Sequence, residues 1–384
     1  MKVLFLSSWF PTRIQPLNGD FVERHALAVA GICPAAAIHV QSDDHVKGKI
    51  FEAVERKEGA LFEIIIYFKR TRSRIKPWAR LVNLCRYGRG YLIANDILMK
   101  KFGKPDIIHA NIIYPSAIVA WIWCFFTGIP YIISEHWTLY LSESSRNIPS
   151  PCITRWAVKN AFAIVPVTPH LGEALRHHGY RNRYFVVPNV VDTDVFIPGS
   201  PSESPGKLKF LHVSSMKEEQ KNITGILRTI KQLSMIRSDF LFTFMGEATA
   251  DQQALSRELG IPVGLIVFKG EGTHAEVAEH MRQSDVFVMF SRIENLPCAI
   301  LEALSCGLPV ISSDVGGIHD WIRADNGMLV SSGDEDELLK ALIAMFDNFK
   351  KYDKHALHQY AVDNFSRKVI AGEFREIYQN ALKA

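Results

Sequence analysis

The sequence predicts an α/β protein built from two similar halves, each a parallel β-sheet covered by helices. Its 384 residues exceed what one compact core usually holds and suit two domains. Apolar runs of strand length alternate with helical stretches along the chain, which is typical of parallel sheets. The segment 189–207 is rich in proline, serine and glycine and is expected to link the halves.

In the first half, apolar runs predict strands and the stretches between them predict helices. The predicted strands are KVLFLSS, AAIHVQS, IIIYF, DIIHA, YIISEH, AIVPVT and YFVVPN, and the predicted helices are 20–31, 79–101, 115–127 and 171–178. The stretch 112–133 is apolar enough to resemble a membrane span. Pro115, Gly128 and Pro130 limit its helix to about 13 residues, roughly 20 Å, which is short of a bilayer core. A buried strand–helix–strand passage is therefore expected there.

The second half repeats this alternation. The predicted strands are KFLHVSS, LFTFMGE, GLIVFKG, VFVMFSR and LPVISSD, and the predicted helices are 221–235, 251–258, 274–283, 298–305 and 334–346. We expect a first domain over 1–190 and a second over 191–365, both Rossmann-like β/α/β units. Ligands of such sheets bind outside the carboxyl ends of the strands, so the domains are expected to face each other across a binding cleft.

Cysteine usage and the amino terminus both favour a cytoplasmic protein. The six cysteines are scattered without a C-x-x-C pair, which is typical of reduced thiols rather than of disulfides or a zinc site. The first apolar run begins directly after Lys2, without the small-residue cleavage site of a secretion signal.

The net charge of +4 hides an asymmetry between the halves. Residues 1–200 carry 24 Lys and Arg against 15 Asp and Glu, whereas residues 201–384 carry 20 against 25. Eleven of the basic residues lie in 69–104, beside apolar residues such as Trp78 and Tyr87. This mixture suits an anionic membrane surface, with a solvated basic face as the alternative. No nucleic-acid module accompanies it, so no nucleic-acid partner is expected.

The stretch SRIENLPCAILEALSCGLPVISSDVGG has the features of a phosphate site. Glu294 lies in a loop after a buried strand, and Pro297 is expected to open the first turn of the helix CAILEALS. The free amides of Cys298 and Ala299 would then face a ligand at the positive end of the helix dipole. Glu302 lies one turn into the helix, so one carboxylate could hold sugar hydroxyls and the other a ribose, with phosphates between them.

With these residues in place, the chain resembles the retaining glycosyltransferases of the GT-B fold, family 4. Glu294 and Glu302 match the E-x7-E motif of that family, and EALSCGLPVISSDVGGI resembles the segment that follows it. The resemblance implies that Glu294 contacts the donor sugar, Glu302 the ribose, and the amides near Cys298 and Ala299 the diphosphate. The loop residues Asn295 and Leu296 belong to the same expected donor-binding set.

The segment FLHVSSMKEEQKNI resembles the place where the family holds the diphosphate with an Arg and a Lys. A cation is needed there because the leaving diphosphate gains negative charge as the glycosidic bond breaks. Lys221 matches the family lysine, but Ser214 and Ser215 stand where Gly-Arg is common. Ser215 is retained in the donor-binding set, and Lys217 is the candidate replacement cation, with a solvated loop lysine as the alternative.

Four further positions follow from the resemblance. Gly19, in PLNGDFVERHA, is a candidate for bringing backbone amides close to phosphate or acceptor, with a simple turn glycine as the alternative. His136, at the end of YIISEH, would contact the donor sugar and, with Glu294 and Lys221, completes the expected catalytic set. Gly246 and Gly270 lie in turns that resemble loops near the nucleotide base.

The resemblance also implies a metal-independent enzyme that uses a UDP- or GDP-sugar. The D-T-D of VVPNVVDTD invites a metal-site interpretation, but its position at a domain boundary favours capping roles for Asp192 and Asp194. The final amphipathic stretch, about 366–384, would form a helix that crosses back onto the first domain.

The resemblance and the basic segment 69–104 together imply a lipid-linked or envelope polysaccharide glycan as the acceptor, used by a cytoplasmic enzyme that is peripheral to the inner face of the plasma membrane. Two other functions share the fold: a nucleotide-sugar 2-epimerase and a catalytically silent sugar-binding homologue. A nicotinamide dehydrogenase is disfavoured because SSWFPT, rather than G-x-G-x-x-G, follows the first strand run.

Overall fold

A computed structural model describes residues 1–46, 50–142, 152–199 and 206–384. The first sheet comprises β1 (Val3–Ser7), β2 (Ala35–Ser42), β3 (Phe51–Glu58), β4 (Leu61–Phe68), β5 (Ile107–Asn111), β6 (Tyr131–Glu135) and β7 (Ile164–Pro166). Its strand order is β3-β4-β2-β1-β5-β6-β7. All neighbours are parallel except β3 and β4, which form an antiparallel pair at one edge.

The second sheet is parallel throughout. It comprises β8 (Leu208–Val213), β9 (Phe240–Met245), β10 (Ile266–Phe268), β11 (Val286–Met289), β12 (Val310–Ser313) and β13 (Gly327–Val330). Its strand order is β10-β9-β8-β11-β12-β13. The sequence therefore predicted the fold correctly: two parallel-sheet, Rossmann-like units.

Helices connect and cover the strands. In the first half these are α1 (Asp20–Ala30), α2 (Lys76–Lys101), α3 (Ile118–Thr127), α4 (Cys152–Asn160) and α5 (Pro169–His177). In the second half they are α6 (Glu218–Lys221), α7 (Ile223–Ser234), α8 (Ala250–Glu258), α9 (His274–Arg282), α10 (Cys298–Ser305), α11 (Glu335–Asn348), α12 (Lys354–Phe365) and α13 (Arg367–Lys383). Short helical turns occupy Ile113–Ala117, Thr138–Leu141, Ile318–Asp320 and Phe349–Lys351.

The strand orders explain where a ligand can sit. β1 lies between β2 and β5, and β8 lies between β9 and β11, so chain order reverses at these central strands. Loops at the carboxyl ends of strands on either side of such a switch point diverge and leave a crevice. Strands β1, β5 and β6 are buried along their whole length. Both faces of these strands are covered, which is why they read as continuous apolar runs.

The last helix returns to the first domain. α13 packs along α1, and Tyr378 on α13 bonds His109 of β5, Oη to Nδ1, at 2.7 Å. At the crossing, the amide of Val191 donates to the carbonyl of Phe365 at 2.9 Å, and Val191 pairs with Ser366 in a parallel bridge. Arg367 also pairs with Asp192 at 2.7 Å. The outgoing and returning segments of the chain are thus bonded to each other.

Several elements differ from the sequence prediction. YFVVPN is not a strand, because it meets β7 through a single bridge at Tyr184, and both Pro166 and Pro188 lack an N–H to extend the pairing. Strand β3, which was not predicted, alternates half-buried with exposed residues from Glu52 to Lys57, as suits an edge strand covered on one face. The helices α4 and α12 and the strand β13 were also not predicted.

The passage 112–133 contains a helix between two strands, as predicted, but the prediction that this passage is buried was wrong for the helix. Its helix α3 has 10 residues instead of about 13, and of these ten, all of them described, Ala120 is the one buried residue. Within the four described ranges, the helices are each too short or too polar to cross a bilayer.

Candidate active site

The carboxyl ends of the two sheets enclose a cleft of about 470 Å³ between the domains. Nine of the residues singled out from the sequence line it: His136, Ser215, Lys221, Glu294, Asn295, Leu296, Cys298, Ala299 and Glu302. Only His136 of this set comes from the first half. The cleft is therefore built mainly from the loops after β8 and β11 and from the start of α10.

The start of α10 forms an anion-binding mouth. Pro297 does not occupy the first helical turn as the sequence analysis expected; it is the N-cap, with extended backbone (φ −65°, ψ 126°), and the helix begins at Cys298. The amides of Cys298 and Ala299 are then in the first turn, where a helix offers no internal acceptor. Both residues line the cleft, so a phosphate there would meet free N–H groups and the positive end of the dipole.

Glu294 and Lys221 form an ion pair inside the second domain. The side chains of Glu294 and Lys221 are 8% and 13% exposed. The ammonium of Lys221 contacts Oε1 of Glu294, and the same oxygen accepts a hydrogen bond from Ser291 Oγ at 2.8 Å. Lys221 reaches this point because it closes the short helix α6 directly beyond β8. The two residues predicted to hold the sugar and the diphosphate are therefore in contact.

The glycine-rich tail of the motif supports this loop. Gly316 has φ +62°, and a Cβ there would lie 2.0 Å from the carbonyl oxygen of Glu294. The loop that carries Glu294 therefore rests directly on the backbone at Gly316, and a side chain at that position would displace it.

Arg24 was not identified from the sequence, although it lies at the centre of the cleft. From α1 of the first domain its Nη1 reaches Glu302 Oε1 at 2.5 Å, and its Nη2 lies 3.1 Å from Asp20 Oδ2 and 2.7 Å from His274 Nε2. Burial lowers the pKa of Arg24, but the neighbouring charges, with Glu302 foremost, raise it above its ordinary value. The partners are 278 positions apart, so no local pattern indicates this pair.

His136 lines the cleft, and its ring carries a buried acceptor that is unpaired among the described residues. Asn189 donates through Nδ2 to the carbonyl of Leu296 at 2.7 Å, so its Oδ1 accepts from Nδ1–H of His136 at 3.2 Å. Nε2 then carries a lone pair, and this buried atom has no hydrogen-bond partner among the described residues. Burial, with the nearby rings of His25 and His109, lowers the pKa of His136 well below its ordinary value. A neutral imidazole of this tautomer can accept a hydroxyl proton from a ligand.

Asn295 connects the domains. Its Oδ1 accepts from Thr168 Oγ1 at 2.7 Å, and its Nδ2 donates to the carbonyl of His136 at 3.3 Å. Both polar atoms of this predicted donor-binding side chain are thus engaged with the first domain. In the structure Asn295 joins the two walls of the cleft.

Lys217 lies in a different place from the one that the sequence analysis considered. It lines a neighbouring pocket of about 930 Å³ between the loops after β8 and β9, which shares Ser215 with the cleft. The acids Glu218, Glu247 and Asp251 line the same pocket. Lys217 and Lys221 are four positions apart, but one is the N-cap of α6 and the other its last residue, and they face different cavities.

The three predicted glycines also lie outside the cleft lining. Gly246 donates to the carbonyl of Gly270 at 2.8 Å, and a Cβ on Gly246 would lie 2.0 Å from Ser214 O. Gly19 precedes α1 with φ +78°, and a Cβ there would lie 2.4 Å from the carbonyl carbon of Trp9. Close approach of backbone segments explains Gly246 and Gly19.

Two other polar residues, Glu135 at the end of β6 and Asp192 in the crossing segment, have structural partners. Glu135 accepts backbone N–H groups from Ile113, His136 and Trp137 at 2.7, 2.8 and 2.8 Å. Asp192 ties the crossing segment to α13 through Arg367. Within the described ranges, no three His, Cys, Asp or Glu side chains are grouped as metal ligands.

Comparison with known proteins defines the class to which this fold and cleft belong. Residues 207–348 match the family model for glycosyl transferases group 1, and residues 53–195 match the model for glycosyltransferase family 4. The chain belongs to these glycosyltransferases, and it is a transferase of the GT-B class.

Two relatives illustrate the family. TuaC of Bacillus subtilis, a glycosyltransferase assigned to teichuronic acid biosynthesis, is 21% identical over 371 residues, covering 89% of this chain and 88% of TuaC. A GDP-mannose-dependent monoacylated alpha-(1-6)-phosphatidylinositol monomannoside mannosyltransferase of Corynebacterium glutamicum is 25% identical over 207 residues, half of each chain.

Two solved structures show the same fold. Sucrose-phosphate synthase from Thermosynechococcus elongatus superposes with a TM-score of 0.75 at 16% identity and full coverage of both chains. Alr3699/HepE of Anabaena, solved in complex with UDP, superposes with a TM-score of 0.67 at 17% identity, covering 99% of this chain and 100% of HepE.

Proposed function

We propose that the cleft transfers a sugar from a nucleotide-diphosphate sugar to a hydroxyl of a lipid-linked or envelope glycan, with retention at the anomeric carbon. One observation carries the proposal: two buried carboxylates flank the mouth of α10, each paired with a cation. Glu294 is paired with Lys221 and Glu302 with Arg24. A nucleotide sugar has its diphosphate between two hydroxyl-rich sugars, which is the order of groups that this arrangement would bind.

The mouth of α10 is the proposed diphosphate site. The amides of Cys298 and Ala299 supply fixed donors, and Lys221 supplies a charge that can bond Glu294 and a phosphate oxygen together, since an ammonium has three protons. Arg24 provides a second cation in the cleft, from the domain opposite Ser214 and Ser215. These groups would stabilise the charge that develops on the leaving diphosphate.

The sugar would lie between Glu294 and His136. Glu294 would accept hydrogen bonds from sugar hydroxyls on one side, and the unpaired Nε2 of His136 would accept one on the other. In the proposed step the bond from the anomeric carbon to the diphosphate oxygen breaks and a bond to the acceptor oxygen forms on the same face. The acceptor proton passes to the leaving phosphate oxygen, so no side-chain nucleophile takes part.

The proposed partners follow from the surface of the first domain and from the relatives. The basic segment 69–104 carries eleven Lys and Arg, which suits peripheral binding to an anionic membrane from the cytoplasmic side. A relative named for phosphatidylinositol mannoside synthesis and another named for teichuronic acid synthesis support a lipid-linked or envelope acceptor. The donor is proposed to be a UDP- or GDP-sugar, used without a metal.

The test is a screen of UDP- and GDP-sugars by thermal stabilisation, followed by identification of the transferred anomer by NMR. We expect one nucleotide class to stabilise the protein, Glu302→Gln to weaken that stabilisation, and the product to keep the anomeric configuration of the donor. An inverted product would contradict the retaining step. No stabilisation by any nucleotide would contradict the function.

Two other functions give different outcomes in the same experiment. A nucleotide-sugar 2-epimerase would release UDP from UDP-GlcNAc without any acceptor. A catalytically silent homologue would bind a nucleotide sugar but release no nucleotide with any acceptor, and Glu294→Ala would then leave its cellular role unchanged.

A further inference from the structure

Helix α3 is an anomaly for a helix at the surface of a folded domain. Its sequence IVAWIWCFFT contains no charged residue, yet of its ten residues, all of them described, Ala120 alone is buried. Phe126 is 78% exposed, and Phe125 and Ile122 are exposed beside it. Exposed apolar surface of this extent costs free energy in water and marks a binding surface when it is contiguous.

A second apolar face lies beside α3, on α2. Leu84 and Leu92 are each 66% exposed, and together with Leu81 and Gly88 they recur at the three- and four-residue spacing of one helical face. Between this face and α3 is a groove of about 560 Å³. Its α2 wall runs from Leu84 to Asn95, which is roughly 16 Å at 1.5 Å per residue.

The groove is long, apolar and open, with few polar groups on its wall. Its polar side chains are Tyr87, Tyr91 and Asn95 on α2 and Tyr114 and Thr127 on the opposite wall, and the phenol oxygens of Tyr87 and Tyr91 bond each other at 3.1 Å. Burial raises the pKa of Tyr87 to about 12, so this phenol stays neutral at physiological pH. The wall therefore presents no charge to an occupant.

Positive charge lies beside the groove, on α2 and in the loop before it. Lys76, Arg80 and Arg89 are exposed on that helix, and Arg74 is exposed in the loop, where Arg72 is paired with Asp44. A neutral apolar groove with cations beside it is complementary to an amphiphile that has a hydrocarbon chain and an anionic head group.

The groove also has a defined position relative to the cleft. Tyr114 and Pro115, at one end of it, follow β5 at the carboxyl edge of the first sheet. His136 follows the neighbouring strand β6 at the same edge. An occupant of the groove would therefore have one end close to the edge of the sheet at which sugar transfer is proposed.

We propose that the groove between α2 and α3 binds the hydrocarbon chain of a phosphate-bearing lipid acceptor, with the adjacent cations on its phosphate. This inference rests on the proposed function, because it takes the acceptor of that transfer to be a lipid and assigns its chain to a site on this domain. The hydrocarbon chain would hold the acceptor at the carboxyl edge while its glycan end enters the cleft.

Trp123 lines the groove and provides the signal for a direct test. The probe is an alkyl phosphate of twelve carbons with bromine atoms on its chain, added below its micelle concentration to the full chain. We expect saturable quenching with one probe per chain, and loss of the saturable component in Trp123→Phe. Leu92→Ser with Phe126→Ser should raise the Kd by roughly tenfold or more, because both side chains lose apolar contact.

The matched control removes exposed apolar side chains of the second domain, Met235→Ser with Val263→Ser. All four substituted positions are solvent-exposed, so the variants are expected to fold, and equal melting temperatures would verify it. If both double variants lose affinity for the probe equally, or if neither loses affinity, the assignment of the probe site to the groove would be overturned. Binding to anionic vesicles without any saturable binding of the soluble probe would also overturn it, since the surface alone would then suffice.

The same samples separate this inference from the proposed function. Nucleotide binding without probe binding would reject the groove and leave the transferase mechanism standing. Probe binding without stabilisation by any UDP- or GDP-sugar would reject the proposed donor site and leave the groove. Dimerisation of the chain that is lost with Leu92→Ser and Phe126→Ser, in place of probe binding, would assign the face to a second copy and overturn the lipid proposal.

Discussion

The two acids of the cleft differ in where their cations come from. Glu294 is paired with Lys221, and both belong to the second domain. Glu302 is paired with Arg24, which belongs to the first domain. Both pairs are largely buried, but only the second joins the two sides of the cleft.

The two pairs therefore report on different events: one on folding of the second domain, and the other on closure of the cleft. The Glu294–Lys221 pair forms when the second domain folds and does not depend on the position of the first. The Glu302–Arg24 pair exists only when the domains are as close as they are here. An ion pair inside one folded unit keeps its two partners together when a hinge opens, whereas the partners of a pair between units can separate and become hydrated.

The largest expected effect is on turnover. Lys221→Ala should lower kcat by roughly one to three decades, because the leaving diphosphate loses a stabilising charge. Lys217→Ala, four positions earlier, is the matched control, and less than about a threefold change is expected because Lys217 lines the neighbouring pocket. Steady-state kinetics that show equal losses in the two variants would contradict the assignment.

Substitution of Arg24, in the domain opposite Lys221, is expected to have a smaller effect, and this effect is on donor binding. Arg24→Gln should raise the donor KM by roughly tenfold, since one charge-assisted contact is worth about 1.5–3 kcal/mol and Glu302 partly recovers by hydration. Arg228→Gln removes an exposed arginine of the second domain that pairs with Glu335 at 3.4 Å, and it should leave the KM unchanged. An unchanged KM in Arg24→Gln would remove Arg24 from the site.

Stability measurements should separate the two pairs directly. Lys221→Met is expected to lower the free energy of unfolding by about 3 kcal/mol, because Glu294 stays buried without its partner. Arg24→Met is expected to lower it less and instead to increase the radius of gyration in small-angle scattering, as the cleft opens. Equal loss of stability with no change in radius would show that the domains do not move apart.

The last comparison concerns pH dependence, and it sets a buried histidine of one domain against a buried histidine of the other. Burial lowers the pKa of His25 in the first domain and of His212 in the second to about 4. Their unfolded forms bind protons near the ordinary value of about 6.5, so stability is present above that pH and is lost as the pH falls toward 4.

Between pH 7.5 and pH 5, each of these histidines should reduce the free energy of unfolding by up to roughly 2 kcal/mol. Glu23 acts in the opposite sense, because burial and the nearby Glu63 raise its pKa to about 7. Urea titrations of His212→Gln and of the wild-type chain at both pH values would isolate one histidine. An equal loss of stability in both proteins would contradict the contribution of His212.

Most strands of the two sheets could be predicted because buried parallel strands appear in the sequence as uninterrupted apolar runs. It predicted the contents of the α10 mouth for a similar reason, since Glu294, Cys298, Ala299 and Glu302 lie within nine consecutive residues. A local pattern of this kind fixes which side chains share a loop and a helix turn.

The sequence did not predict the contacts across the cleft. Arg24 meets Glu302 only because the two domains face each other, and nothing within α1 indicates a partner in α10. Whether Lys217 replaces the missing arginine was also unresolved, because it depends on which cavity the N-cap of a four-residue helix faces. Asn295 was expected to bind the donor, although its amide connects the domains through Thr168, which no spacing suggests.

The two segments that cross between the domains at Val191 and Ser366 run side by side and are bonded to each other. A single crossing segment would let the domains rotate about several axes, whereas two segments bonded to each other favour rotation about one axis. After such a rotation, closure would bring Arg24 back to Glu302. Truncation before α13 would leave one crossing segment and would remove a helix that packs on the first domain. The carboxyl-terminal segment is therefore part of the connection about which the domains would rotate.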